Sequence, residues 1–214
     1  MYTLNNMKPI EKSEHWHAQI TLFIAIILQF SLDKSLRIGP PYLVVGLELL
    51  LVFAIGFTAP RRHSTAAELH KALSTIFMAL VSLANAGQLF LLVKALVDGS
   101  NLPGKTLLFG ALAIFLTNII VFGLWYWELD SPGLSGKDDD GAGTHLQFPQ
   151  SIKKDHWHPT FFDYLYVSLT NSTAFSPTDT MPLTHTAKAL MSSQAFISLL
   201  TVVLVTARAV NILG

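Results

Sequence analysis

The sequence predicts an all-α, polytopic membrane protein, and three observations carry that prediction. Hydrophobic residues make up 51% of the 214-residue chain and charged residues only 13%, about half the charged share of a soluble domain. The apolar residues are gathered into runs near the length of about 20 that crosses a hydrocarbon layer roughly 30 Å thick. One long polar stretch interrupts them late in the chain, from Glu128 to about Pro159, with Gly136-Lys137-Asp138-Asp139-Asp140-Gly141-Ala142-Gly143 inside it. It reads as an exposed loop.

Five spans are expected. The first, Ala18 to Asp33, is short and carries Gln29, so it is tilted, extended toward Trp16, or interfacial. Prolines bracket the second, Pro41 to Pro60, and Glu48 is its one charge. The third runs from Ala72 to about Val97, with Asn85, Gly87 and Gln88 forming a small, polar packing face. A tight connection, Asp98 to Gly104, leads to the fourth, Thr106 to Trp127. That span closes on Trp125, Tyr126 and Trp127, rings suited to a headgroup boundary. The fifth is Ala187 to Leu213, where Arg208 is placed to snorkel. Between the last two, Thr160 to Pro182 is aromatic and then rich in Ser, Thr and Pro, too short and too polar to cross fully. A re-entrant segment is expected there, since irregular backbone is tolerated at membrane depth only where protein or a water-filled cavity surrounds it.

Several function classes are excluded or left without support. Basic and acidic residues balance at 14 each, so no basic field is available for nucleic acid. The absence of cysteine removes disulfides, thiolate chemistry and Cys-based zinc sites. No HExxH, GxSxG or Walker-type loop is present, no cofactor is indicated, and an enzyme is not expected. Residues 1–17 lack a small-residue cleavage pattern, so the first helix is expected to be retained.

The segment Phe162 to Lys188, FDYLYVSLTNSTAFSPTDTMPLTHTAK, resembles without gaps the pore loop of tetrameric potassium channels. Asp163, Leu165, Tyr166 and Ser168 fall on pore-helix positions, Thr173 on the first filter threonine, and Asp179 on the aspartate after the filter. Pro182, Thr184 and Lys188 match the lead into the inner helix, Lys188 standing where the family has Arg. The resemblance implies an outer helix, a short pore helix from about Thr160 to Asn171, an inner helix, and assembly as a homotetramer. It departs at the filter itself: Ala174, Phe175, Ser176, Pro177 and Thr178 stand where the family has T-V-G-Y-G. Without glycine, and with Pro177 fixing its φ, a potassium-type stack of carbonyls is not expected. Oxygens of Ser172, Thr173, Ser176, Thr178 and Asp179 are instead expected to ring a hydrated path for monovalent cations, or the loop is a plug closed by Phe175 and Met181. A looser resemblance to uncharacterised bacterial membrane proteins implies a multi-pass protein of a bacterial inner membrane.

Two further features merit weighing. Glu48, an intramembrane carboxylate, is either a proton or cation site or bonded to a neighbour such as Asn85, Gln88 or Asn118. The repeated pattern in Glu14-His15-Trp16-His17 and Asp155-His156-Trp157-His158 offers His15, His17, His156 and His158 as a weak metal or pH site, or as flanks of two interfacial tryptophans. The organisation expected is an N-terminal segment (1–17), a three-helix membrane region (18–105) and an ion-channel-like pore region (106–214). The function expected is cation permeation with altered or lost potassium selectivity. The alternatives are a non-conducting scaffold or accessory subunit and a proton-coupled carrier using Glu48. Channel resemblance puts the 128–159 loop outside, although nine basic residues (Lys8, Lys12, Arg61, Arg62, Lys71, Lys137, Lys153, Lys154, Lys188) fall on that side against five (Lys34, Arg37, Lys94, Lys105, Arg208) on the other.

Overall fold

The computed structural model describes residues 12–40, 46, 49–50, 65–100, 102–130, 145–150, 157, 159–173 and 180–213, without the side chains of 12–16, 18, 65–71 and 208–213. The chain is mostly helical. Among the described residues, the helices with settled bounds are α1 (Lys12–Phe30), α2 (Thr65–Val97), α3 (Gly104–Asp130), α4 (Phe161–Ser172) and α5 (His185–Leu213), with a 3-10 turn at Lys34–Leu36. Within α2, α3 and α5 lie stretches long and apolar enough to cross a membrane: Ala72–Val97, Gly104–Asp130 and His185–Ala207. These are the third, fourth and fifth expected spans, displaced by a few residues at most on their predicted starts. The second expected span lies largely outside the described residues.

α1 begins at Lys12, so the expected boundary between residues 17 and 18 falls inside a helix, while its apolar part is only Gln19–Phe30. Asp33 then caps the 3-10 turn, accepting from the Ser35 backbone N–H at 2.9 Å and from its hydroxyl at 2.5 Å. Those hydrogen bonds hold the Asp33 carboxyl below its ordinary range.

α3 is the organising element and touches α1, α2, α4 and α5. In its most apolar window 72% of residues are buried, against 22% for α5, which therefore leaves most of its surface for lipid or another chain. Two apolar clusters flank the bundle's middle. One joins Leu22 and Ile26 of α1, Phe77, Met78 and Val81 of α2, and Ile120 to Tyr126 of α3. The other joins Leu32 and Leu36, Leu89 and Leu92, and Leu107 to Ile114. In lipid these contacts act mainly through close packing, because leaving the bilayer gives apolar groups no water to escape.

Among the described glycines, Gly123 is where two backbones approach closely. A Cβ on Gly123 would stand 3.2 Å from the Leu165 Cα of α4, so the two backbones meet where no side chain separates them.

The long polar stretch is not a uniformly exposed loop. Glu128, Leu129 and Asp130 continue α3. Beyond residues 131–144, which lie outside the described set, Leu146 and Phe148 are buried. The Phe148 ring meets those of Trp157 and Tyr164 at 5.5 and 5.4 Å. Polar composition hid these few apolar anchors, which bring the segment back onto the bundle. Of the terminal rings of the fourth span, Tyr126 and Trp127 are buried in protein.

Candidate functional site

The site is built on α4. Thr160 ends an extended entry and caps the helix in a reciprocal box: its N–H and hydroxyl both reach the Asp163 carboxylate at 2.7 Å, and its carbonyl accepts from the Asp163 N–H at 3.0 Å. Thr160 alone would be unremarkable; with Asp163 three positions on, the pair fixes where the helix starts. Its 12 residues span roughly 18 Å at about 1.5 Å each, short of a full crossing.

Contacts along α3 set the direction of α4. The Trp127 and Phe161 rings lie 5.4 Å apart, Leu165 abuts Gly123, and the Ser168 hydroxyl donates to the Ile119 carbonyl at 2.6 Å. The helix thus runs antiparallel to α3, from the level of Trp127 to that of Ile119. Met181–Pro182 (β2) then pairs antiparallel with Leu146–Gln147 (β1). The Leu146 N–H is itself held by Asp130, so the chain is back at the Asp130 end of α3 by β2. From Ile119 to Asp130 is about 16 Å along a helix, a distance that a chain of the length between Thr173 and Met181 can span.

Two polar centres hold this arrangement. The deeper one is Gln194 of α5, which is fully buried. Its Oε1 accepts from the Tyr126 hydroxyl at 2.5 Å and from Asn171 Nδ2 at 2.9 Å. Its Nε2 shares two N–H donors among the Ser168 carbonyl, the Ser168 hydroxyl and the Ser172 hydroxyl, at 3.0, 2.6 and 2.7 Å. Asn171 also donates to the Met191 carbonyl at 2.9 Å, and Asn118 to the Ser198 hydroxyl at 2.9 Å. One side chain therefore ties α3, α4 and α5 together.

The second centre is Asp130 at the rim. Its Oδ1 accepts from the backbone N–H groups of His145 and Leu146 at 2.5 and 2.9 Å, and its Oδ2 from the Tyr164 hydroxyl at 3.0 Å. His145 Nδ1 meets the Thr184 hydroxyl at 2.7 Å, just before α5. Replacing Asp130 with alanine is expected to release β1 and Tyr164 together and to lower stability by about 2–4 kcal/mol, since two backbone donors and one buried hydroxyl lose their shared acceptor. Unfolding in mixed micelles, with Asp130→Asn retaining part of the effect, checks it. An Asp130→Ala midpoint equal to wild type rules the clamp out.

The predicted site residues fare differently. Thr173 is the C-cap of α4, and its hydroxyl donates to the Leu169 and Thr170 carbonyls at 3.0 and 3.3 Å. Ala174, Phe175, Ser176, Pro177, Thr178 and Asp179 lie outside the described residues. Ser172 was expected among the oxygens ringing a path; it is buried and bonded to Gln194, so it faces α5 instead. Of the histidines, His17 has an exposed side chain, and the side chains of His15, His156 and His158 lie outside the described residues, as does Glu48. Among the described residues no three metal-ligating side chains come together. Two of the partners proposed for Glu48 have other bonds, Gln88 to Gln29 at 3.4 Å and Asn118 to Ser198. Gln194, Asn171 and Asp130 were missed. A glutamine in the middle of an apolar span was the available signal for the first of them.

No family model, curated protein or solved structure matches this chain.

Proposed function

We propose that the protein is an ion-channel-like assembly of this chain, in which α3, α4 and α5 serve as outer helix, re-entrant pore helix and inner helix. The observation that carries the reading is the half-length helix α4: it descends along α3, is locked to α5 by Gln194, and is followed by a return to the rim at β2. Backbone following such a helix requires cover at membrane depth, because lipid cannot bond its polar groups. A single copy leaves Phe162 (73%), Tyr166 (51%) and Leu169 (44%) of α4 exposed, together with Phe196 and Leu199 of α5. Four copies around an axis would cover that face, and with the α1 and second-span helices each copy would contribute about five spans. α4 would then direct its negative end, and the residues from Thr173 to Asp179, at the axis, favouring a cation.

Selectivity follows from the loop sequence. Ala174, Phe175, Ser176, Pro177 and Thr178 lack the glycines that let successive carbonyls line a potassium filter, so an ion passes partly hydrated and is distinguished by charge more than by radius. Purified protein in planar bilayers is expected to pass potassium and sodium with a reversal potential near zero under opposing gradients, with Asp179→Asn lowering the current. A reversal potential at the potassium equilibrium value would refute the selectivity argument, and anion currents would refute the electrostatic one. No current from a verified tetramer would favour a non-conducting scaffold, and flux that saturates and needs a second gradient would favour a carrier.

A further inference from the structure

Between the two apolar clusters the bundle carries a polar layer. On α1 it falls at Gln29, between Ile26 and Leu32; on α2 at Asn85 and Gln88, between Val81 and Leu89; on α3 at Thr117 and Asn118, between Ile114 and Ile120. Gln29, Asn85 and Gln88 are 4%, 2% and 4% exposed. The one hydrogen bond between α1 and α2 in this layer among the described residues runs from Gln88 Nε2 to Gln29 Oε1 at 3.4 Å, near the loose limit of such bonds. Gln29 Nε2, Gln88 Oε1 and Asn85 Oδ1 are buried and find no protein partner. Asn85 and Gln88 are three residues apart on α2 and so share a face, and Gln88 meets Gln29 from it. One donor and two acceptors are therefore left unmet within one layer of a transmembrane bundle, where each unmet polar group is costly.

We infer that Gln29, Asn85 and Gln88 form a binding site for a buried water molecule that docks α1 onto α2. The chemistry selects the guest. It has to accept from the Gln29 amide and donate to two carbonyl oxygens; a metal cation cannot accept, an anion cannot donate, and water does both with about three bonds, its usual number in a protein interior. Turning over both glutamine amides leaves the same set, one donor and one acceptor unmet, so the demand does not depend on their orientation. The site also answers why a helix whose apolar part is as short as Gln19–Phe30 carries a glutamine there: the residue contributes a bridge to α2 in place of apolar length.

The test uses the full chain in lipid nanodiscs with the Gln and Asn side-chain amides labelled with nitrogen-15, the Gln29 signal being assigned by its loss in Gln29→Leu. A cross-relaxation peak between the Gln29 amide protons and a long-lived water is expected, and its absence overturns the site. Stability gives an independent reading. With water bound, Asn85→Leu removes one of three partners and lowers the thermal midpoint by roughly 2–6 °C; without it, the same change deletes an already unmet carbonyl and raises the midpoint. Replacing Gln29, Asn85 and Gln88 together by leucine is expected to return the midpoint to wild type or above, because no polar group is then left behind. A triple variant lower than each single variant would overturn the inference, and the wild-type water peak decides the matter should the variants fail to fold.

Discussion

Replacing Gln194 with leucine is expected to destabilise the protein by about 2–5 kcal/mol, the larger of two effects that follow from how α4 is held. The side chain removes no surface from lipid that leucine would not, so the change acts through its partners. The Tyr126 hydroxyl loses its acceptor at 2.5 Å and the Ser172 hydroxyl its donor at 2.7 Å. Asn171 keeps the Met191 carbonyl but loses its bond to the glutamine, and the Ser168 carbonyl loses its side-chain donor. Each buried polar group left without a partner costs about 1–3 kcal/mol, and the surrounding low dielectric makes the losses mutually reinforcing. Ser198→Ala, which removes one bond from Asn118 at the next turn of α5, is expected to cost about 1 kcal/mol. Titration with a denaturing detergent in mixed micelles measures both. Gln194 is not the tie between three helices if its leucine variant unfolds no earlier than Ser198→Ala.

What was legible in the sequence is what depends on length and on local chemistry. α2, α3 and α5 are apolar over more than 20 residues, a property that no tertiary partner has to supply, so their ranges followed from counting. α4 was legible at its start because Thr160 and Asp163 make a cap between neighbours in the chain. Its partners were not, since Gln194 and Ser168 lie 26 positions apart and nothing local in either says that they meet. The return of Leu146 and Phe148 to the bundle was hidden for a different reason: a polar, glycine-rich setting sets the average, and two apolar side chains decide the packing. Tyr126 and Trp127 show the converse, because an aromatic cluster at the end of a span suits a headgroup layer and a protein groove equally well. Ser172 went astray by angle alone. It sits one residue before Thr173, and the roughly 100° of helical rotation between them brings it to Gln194 of α5.

Glycine substitutions are expected to separate the two helix contacts sharply, and the separation tests whether α4 is seated by backbone approach. A methyl group on Gly87 would meet only the far end of the Ile38 side chain, which can turn away. Gly87→Ala is therefore expected to be neutral or to stabilise by up to about 1 kcal/mol through helix propensity. At Gly123 the obstacle is the Leu165 Cα, which cannot move without α4 moving with it. For Gly123→Ala the same propensity gain is offset by overpacking of about 1–3 kcal/mol. Gly123→Leu has no such balance: it forces α3 and α4 apart, stretches the 2.6 Å bond from Ser168 to the Ile119 carbonyl, and is expected to cost more than about 3 kcal/mol. The chain has no cysteine, so spin labels at Leu112→Cys and Phe162→Cys, both exposed in a single copy, report the α3 to α4 distance when labelled chains are diluted with unlabelled ones. That distance is expected to lengthen in Gly123→Leu and to stay put in Gly87→Ala. An unchanged distance in a folded Gly123→Leu protein would mean that α4 is not seated on α3 at this glycine, and the channel-like arrangement built on that seat would fall with it.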